Sequence, residues 1–231
     1  MLEKITIAID GFSSTGKSTL AKQLANQLGY AYVDTGAMYR AVTYFAMKSG
    51  WVSEDVLNTS SIIENLQKIN LEFRFSEQLG FAEMYLNNVN IENEIRTIEV
   101  SRCVSKIAEI SEVRTMLVQQ QQQMGKNKAV VMDGRDIGTV VFPDAELKLF
   151  MTASAETRAQ RRFDELVEKG QMVTFDEVLQ NVQERDYIDT NREDSPLVKA
   201  KDAIEIDNSS MSKEEQFNLV MIMVNEKLNA N

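Results

Sequence analysis

The stretch GFSSTGKS at residues 11–18 decides the fold. It matches the phosphate-binding pattern G-x-x-x-x-G-K-[ST] at every fixed position, a pattern that is meaningful only between a strand and a helix. Both neighbours are predicted here. The apolar run at residues 5–9 has strand character, and Leu20, Leu24 and Leu28 recur at helical spacing. An accidental glycine-rich turn would lack this context, so the sequence predicts a P-loop.

The fixed residues of this loop have separate chemical tasks. Glycines let backbone N–H groups converge on phosphate oxygens, and the start of the next helix adds partial positive charge. Lys17, expected to be an exposed loop residue, would place a point charge on the β and γ phosphates, and the Ser18 hydroxyl would bind Mg²⁺. The residues expected to bind the nucleoside triphosphate are Gly11, Phe12, Ser13, Ser14, Thr15, Gly16, Lys17, Ser18 and Thr19.

Around the loop, strand and helix patterns alternate, as is typical of a parallel α/β sheet. Further buried strands are predicted at 31–33, 129–132, 147–151 and 203–206. Helices are predicted at 37–48, around 62–69, at 98–124, from Ser154 to Gly170, from a capping box at Thr174 and Glu177, and at 213–228.

The middle of the chain follows a different pattern. Short strands at 71–75, 81–86 and 89–91 are joined by turn residues with no helix between them, which predicts a small antiparallel sheet. Residues 56–100 are therefore interpreted as an inserted subdomain. The chain as a whole, residues 1–231, has the length of one domain with an insert.

Composition excludes several classes of protein. The formal net charge of −10 argues against a surface that coats nucleic acid or an anionic membrane, and no apolar run is long enough to span a bilayer. The single cysteine, Cys103, cannot form an intramolecular disulfide, which favours a cytoplasmic protein and a small buried hydrophobe at that position. The absence of histidine excludes mechanisms that need an imidazole.

The arginines suggest what receives the phosphate. They gather in YVDTGAMYR (32–40), in DGRDIGTVVFPDA (133–145), in ERDYIDTNR (184–192) and on one helix face with Arg158, Arg161 and Arg162. An arginine stripe is usually a solvated face. Here the chain is acidic overall, and phosphoryl transfer needs several cations around the transferring group. A phosphate acceptor is already ionised, so a histidine-free protein suits this chemistry.

In these segments, and in EIRTIEVSRCVSKIAEISEVR (94–114), the sequence resembles the bacterial-type cytidylate kinases of the nucleoside monophosphate kinase family. The resemblance implies a P-loop kinase core with a parallel five-stranded sheet, a CMP-binding insert at about 56–100 and a mobile helical lid at about 155–195. It implies ATP-dependent phosphorylation of CMP and dCMP to CDP and dCDP by in-line transfer with Mg²⁺. We expect a cytoplasmic monomer with no nucleic-acid or membrane partner.

The resemblance also implies roles for individual residues. The acceptor phosphate would be held by Arg40, Arg135 and Arg192, the cytosine edge by Ser105, Arg114 and Asp136, and the sugar by Arg185 and Asp189. Asp34, Thr35 and Tyr39 complete the CMP-binding set, and Asp34 and Asp133 could orient Mg²⁺-bound water or acceptor arginines. The catalytic residues would be Lys17, Arg135, Arg158, Arg161, Arg162 and Arg192. Of these, Arg158, Arg161 and Arg162 would be lid cations that close on ATP.

Several alternatives stay open. The protein could be another small-acceptor P-loop kinase that uses UMP, AMP or a non-nucleotide, or a regulatory module that binds ATP without transfer. Tyr39 could simply pack, Asp10 could be a loop hydrogen-bond acceptor without a metal role, and Asp136 could only pair with an arginine. Phe12 departs from the family pattern, where proline is common.

Overall fold

The computed structural model describes residues 4–78 and 80–229. Its core is a five-stranded sheet in which every pairing is parallel, as the sequence predicts. The strands are β1 (Thr6–Gly11), β2 (Ala31–Asp34), β6 (Val130–Gly134), β7 (Leu147–Thr152) and β8 (Ile204–Asp207), in the spatial order β2-β6-β1-β7-β8. Three further strands, β3 (Leu71–Ser76), β4 (Phe81–Leu86) and β5 (Val89–Asn90), form a separate antiparallel sheet.

Helices cover both faces of the large sheet. They are α1 (Lys17–Leu28), α2 (Thr35–Lys48), α3 (Thr59–Glu64), α4 (Ile98–Ala108), α5 (Ser111–Met124), α6 (Ala155–Glu168), α7 (Phe175–Asn191) and α8 (Lys213–Asn229). One apolar cluster joins α1 and α8 to the sheet, and another joins α2, α4, α5 and the antiparallel sheet to its other face. Among the helices of the described residues, none is long and apolar enough to cross a membrane.

The prediction of one helix over 98–124 was wrong. The chain leaves the helical path at Glu109 and Ile110, and α4 and α5 are separate helices. Ile110 has extended backbone and its side chain is buried, so the break places an apolar residue in the core. Neither glycine nor proline marks the break in the sequence. The helix predicted around 62–69 is likewise interrupted, with α3 ending at Glu64 before a 3-10 turn.

The strand order brings two loops to one edge of the sheet. β1 lies between β6 and β7, and the register pairs Asp10 with Gly134 and Asp34 with Asp133. The P-loop follows β1, and the DGRDIG segment follows β6, so both leave the carboxyl ends of adjacent parallel strands. This edge is where ligands bind in open α/β sheets.

The antiparallel sheet shares the core of the main domain. Leu71, Met84, Leu86 and Ile91 are buried in the same cluster as α2 and α4. The prediction of a small antiparallel sheet is therefore confirmed. Its own apolar side chains pack it against the main domain.

Helices α6 and α7 form the segment predicted as a lid. Ser154 caps α6, accepting from Thr157 N at 3.1 Å, and Thr174 and Glu177 form the expected capping box of α7. Both helices pack through a small apolar cluster against Ile98 at the start of α4. The segment of α6 and α7 thus contacts the start of α4.

Candidate active site

The P-loop requires glycine at both ends. Gly11 has φ 140°, and a Cβ there would lie 2.1 Å from the carbonyl oxygen of Met151 in β7. Gly16 has φ 90° and precedes α1, in a left-handed conformation that favours glycine. The loop therefore turns tightly against the sheet and leads directly into the N-terminus of α1.

Lys17 is buried rather than exposed, with 5% of its surface accessible. Its Nζ donates to the carbonyl oxygen of Phe12 and lies 3.4 Å from Thr15 Oγ1, so the loop holds its own lysine. Burial lowers the pKa of Lys17 well below its usual value, and the charge of Arg135 adds to that effect. A phosphate at the loop would favour the charged form, because it supplies the missing negative charge.

Ser18 and Asp133 bring two oxygen ligands together. Ser18 Oγ donates to Asp133 Oδ2 at 2.9 Å, and Tyr32 Oη donates to Asp133 Oδ1 at 2.8 Å. A hydroxyl and a carboxylate beside a P-loop are the protein donors that suit Mg²⁺, which keeps several waters and substrate phosphates as its other ligands. Within the described ranges no cluster of three or more His, Cys, Asp or Glu residues could hold an ion by itself. The donors present fit a magnesium ion carried by a nucleotide.

A second cleft opens beside the P-loop. It is lined by every residue predicted to bind CMP except Asp34, namely Thr35, Tyr39, Arg40, Ser105, Arg114, Arg135, Asp136, Arg185, Asp189 and Arg192. These side chains come from α2, α4, α5, α7, the residue directly after α7 and the segment after β6. We call it the acceptor cleft.

One end of the acceptor cleft carries a buried ion pair. Arg114 Nη2 donates to Asp136 Oδ2, and both side chains are at most 5% exposed. Burial raises the pKa of Asp136, while Arg114 acts in the opposite direction. Asp136 does pair with an arginine, as in the alternative in which its role is only to form such a pair. Its partner is the other charged side chain predicted at the base, and both line the cleft.

Tyr39 lies at the same end of the cleft. Its ring belongs to the core, which agrees with a packing role, and its centroid is 5.7 Å from the Arg114 guanidinium carbon. Its buried hydroxyl has no hydrogen-bond partner among the residues that the structure describes. A buried polar atom without a partner costs free energy, so this hydroxyl is available to a ligand in the cleft.

Asp189 organises the other end of the cleft. Its Oδ1 accepts from Ser105 Oγ at 3.1 Å, and its Oδ2 accepts from Arg135 Nε at 2.8 Å. Arg185 donates to Ser101 Oγ at 3.1 Å, and Arg192 donates to the carbonyl oxygen of Ser195.

The arginines at this end repel one another. Burial and the neighbouring cations lower the pKa of Arg40 to about 10 and that of Arg185 to about 9. Both stay charged at neutral pH, because even these values lie above it. Their buried Nε atoms find no hydrogen-bond partner within residues 4–78 and 80–229. Like charges with unfilled donors are suited to an anion that carries more than one charge.

The acceptor cleft meets a larger cleft over the P-loop. The larger cleft is lined by P-loop residues, Lys17 and Ser18 among them, and by Asp34. Arg40, Arg135 and Arg185 line both clefts, as do Gly36 and Gly134. Three arginines therefore lie at the junction of the two clefts.

The three predicted lid cations have different positions. Arg162 lines the larger cleft, where it donates to the carbonyl oxygen of Arg96 at 2.9 Å and to Glu165 at 2.8 Å. Arg161 instead holds Asn208 after β8, through two hydrogen bonds of 3.1 and 2.9 Å.

Arg158 joins α6 to both α7 and the P-loop. It forms a two-point ion pair with Asp186 of α7 at 2.9 and 2.6 Å, and its Nη1 lies 3.4 Å from the carbonyl oxygen of Ser13. Its guanidinium carbon is 5.1 Å from the ring centroid of Phe12, so the residue that replaces the commoner proline stacks against this arginine.

Asp10 is the loop hydrogen-bond acceptor that one alternative described. Its two carboxylate oxygens accept from Ile137 N and Gly138 N, both at 2.7 Å. Burial raises its pKa to about 7, against the effect of these two donors. Asp10 therefore joins the strand before the P-loop to the turn after β6.

Sequence reasoning missed three residues that organise the site: Arg96, Asp186 and Asn208. Asp186 lies within the ERDYIDTNR segment, and Asn208 directly follows a strand at the ligand-binding edge. The sequence position of each could therefore have indicated a place in the site. Arg96 had only its place in the EIRT segment. Its contact with Asp34 spans the whole insert and could not be found from spacing.

A P-loop on a parallel sheet, an oxygen pair for a nucleotide-bound metal and a cationic second cleft define a P-loop phosphotransferase. A family model described as cytidylate kinase matches residues 7–226. The chain is 71% identical to the cytidylate kinase of Flavobacterium johnsoniae over 97% of this chain and 98% of that one. It is 68% identical to that of Flavobacterium psychrophilum (97% and 99%) and 57% identical to that of Bacteroides thetaiotaomicron (93% and 94%). The chain belongs to the cytidylate kinase family, a family of nucleoside monophosphate kinases that phosphorylate CMP.

Proposed function

We propose that the protein transfers the γ-phosphoryl group of ATP, in line and with Mg²⁺, to the 5′-phosphate of CMP or dCMP. The products are ADP and CDP or dCDP. The observation that carries this proposal is the junction of the two clefts, where Arg40, Arg135 and Arg185 line both. An acceptor phosphate from one side and a γ-phosphate from the other would meet among these cations.

The reaction needs charge compensation rather than a strong base. An oxygen of the ionised acceptor phosphate forms a bond to the γ-phosphorus, while the bond from that phosphorus to the β–γ bridging oxygen breaks. The electron pair leaves with ADP. Lys17 and the junction arginines would offset charge on the oxygens of the transferring group, which is the main contribution of proteins to this chemistry.

Ser18 and Asp133 are the residues that would hold Mg²⁺ with the β and γ phosphates. When bound, the ion neutralises part of the phosphate charge. Asp133 also accepts from Tyr32, and this second hydrogen bond orients its carboxylate toward Ser18. The protein thus contributes to metal binding by fixing the orientation of the Ser18 hydroxyl and the Asp133 carboxylate beside the P-loop.

The use of both CMP and dCMP is supported by the contacts of Asp189. Arg185, which the resemblance assigns to the sugar, lines both clefts, and we assign the sugar to Asp189. Its two oxygens already accept from Ser105 and Arg135. A substrate without the 2′-hydroxyl would therefore leave no buried carboxylate unpaired, and the penalty for a missing partner would be small.

The experiment that tests this function is an acceptor panel. CMP, dCMP, UMP and AMP are each supplied with ATP and Mg²⁺, and ADP release is followed with a coupled assay. We expect turnover with CMP and dCMP, weaker turnover with UMP, and none with AMP. Absence of dCMP-dependent ADP release would remove the deoxynucleotide from the proposal, and absence of release without Mg²⁺ supports the metal's role.

We expect the lid, residues 155–195, to become less mobile when analogues of ATP and CMP bind together. Phosphate offsets the repulsion among the arginines and lets the lid close. The measurement is hydrogen exchange of the free and doubly bound protein, with α8 as the internal control. Equal exchange of residues 155–195 in the two states would contradict a mobile lid.

The monomeric state and the cytoplasmic location stay predictions. The location is supported by the single cysteine, which is buried and unpaired as expected. Light scattering coupled to size-exclusion chromatography measures the mass directly, and a value near 26.2 kDa is expected for a monomer.

A further inference from the structure

Arg96 lies between the insert and α4, at the end of the 3-10 turn Glu94–Arg96. Its guanidinium contacts two carboxylates. Nη2 lies 2.9 Å from Asp34 Oδ2 and 2.6 Å from Glu92 Oε1, and Nε donates to the same Glu92 oxygen at 2.9 Å. The side chain is 21% exposed and lines the larger cleft. Arg96 therefore joins the insert to the end of β2.

Asp34 has a second basic neighbour, Arg40. The Arg40 Nη2 atom lies 3.4 Å from both oxygens of Asp34, which is long for a charge-assisted hydrogen bond. Asp34 Oδ1 also accepts from Ala37 N at 2.8 Å and caps α2. The carboxylate is thus held mainly by Arg96 and by the backbone, and only loosely by Arg40.

The loose contact matters because Arg40 lines the junction of the clefts. Its buried Nε has no hydrogen-bond partner in the described part of the chain. A carboxylate 3.4 Å away competes with an acceptor phosphate for this guanidinium. The competition is weaker when another cation already neutralises the carboxylate, and together Arg96 and Arg40 hold the pKa of Asp34 low in spite of its burial.

We propose that Arg96 is a positioning residue that neutralises Asp34, so that Arg40 is left free to bind the acceptor phosphate. The inference rests on the proposed function, because it assumes that Arg40 binds that phosphate. Without Arg96, Asp34 would be a buried carboxylate whose nearest guanidinium is Arg40. Arg40 would then close on Asp34 and lose affinity for the substrate.

The first test separates the phosphate from the base. In Arg96→Met, the Kd for CMP should rise about tenfold, the order expected for one weakened charge-assisted hydrogen bond, and the Kd for cytidine should stay unchanged. The matched control is Arg74→Met, another arginine of the insert, which pairs with exposed Glu72 and lies outside both clefts. The control should alter neither Kd.

The second test is a rescue. Asp34→Asn keeps a side-chain oxygen to cap α2 but removes the competing charge. In the double variant Arg96→Met with Asp34→Asn, the Kd for CMP should return toward the wild-type value. A merely structural role for Arg96 would weaken CMP and cytidine equally and make the two substitutions additive, and either result overturns the proposal.

The milder variant Arg96→Lys keeps the test usable if the methionine variant does not fold. Lysine keeps the positive charge, but its single ammonium group cannot contact Asp34 and Glu92 together as the guanidinium does. We therefore expect the Kd for CMP to rise about threefold. An unchanged ratio of the CMP and cytidine affinities in this variant would also overturn the proposal. Failure of the proposed function is distinguishable, because the wild-type protein would then release no ADP with CMP.

Discussion

Replacing Lys17 by alanine should lower kcat with ATP and CMP by about 10²–10³-fold, the usual cost of removing one preorganised charge from a transition state. The Lys17 Nζ donates to its own loop, at Phe12 and Thr15, and its burial disfavours the charged form. Loss of the side chain therefore removes a desolvated charge but little packing. We expect a melting temperature equal to or above that of the wild type.

The control for this variant is Lys213→Ala. Lys213 is also the first residue of a helix, α8, but it is exposed and distant in sequence from the loop. It should keep wild-type kcat. A folded Lys17→Ala protein that retains most of its turnover would show that the loop lysine does not act on the transferring group.

The substitution Asp136→Asn should reduce the preference for CMP over UMP by roughly 1–3 kcal/mol. Cytosine presents an amino donor at C4, which a carboxylate accepts, whereas uracil presents an oxygen there. An amide can donate as well as accept, so it discriminates less. Both acceptors should also slow, because the amide removes the nearer carboxylate partner of buried Arg114 and leaves only Asp194, 3.6 Å away, among the ion pairs of the described residues. The ratio of kcat/KM for CMP and UMP isolates the effect on the base.

The matched control is Asp194→Asn. Asp194 lies 3.6 Å from the same Arg114, but its side chain is 40% exposed and it does not line the acceptor cleft. It should leave the CMP/UMP ratio unchanged. If Asp136→Asn slows both acceptors in equal proportion, Asp136 anchors the arginine and does not read the base.

Local patterns predicted the framework of this protein well. The P-loop could be predicted because a strand, the eight-residue motif and a helix follow one another directly in the sequence. The antiparallel sheet was found because turn residues separate its strands, and the capping box of α7 was found because Thr174 and Glu177 lie within four residues of each other. Each of these patterns depends on residues that are close together along the chain, so a single sequence is enough to recognise it.

The contacts that assign each arginine to a task depend on long-range geometry. Arg158, Arg161 and Arg162 share one helical face in sequence, but each meets a different partner: Asp186, Asn208 and the carbonyl oxygen of Arg96. Those partners come from three separate elements. Spacing on one helix cannot say which cation faces a cleft and which one joins two parts of the fold.

The burial of Lys17 could not be predicted for a similar reason. A loop lysine is exposed unless the assembled fold surrounds it, and here the larger cleft places Lys17 near the segment after β6 and near α7. The same elements carry Arg135 and Arg185, whose charges act on the lysine. The electrostatic character of the site is thus a property of the assembled edge of the sheet.

The central claim is that ATP and CMP bind in two clefts that meet at Arg40, Arg135 and Arg185. It is tested most directly with a dinucleotide in which adenosine and cytidine are joined 5′ to 5′ through five phosphates, assayed as an inhibitor against each substrate in turn. The account predicts competition with both ATP and CMP, and tighter binding than either substrate shows alone. Competition with only one of the two substrates would contradict it, because the phosphates would then not meet at the junction.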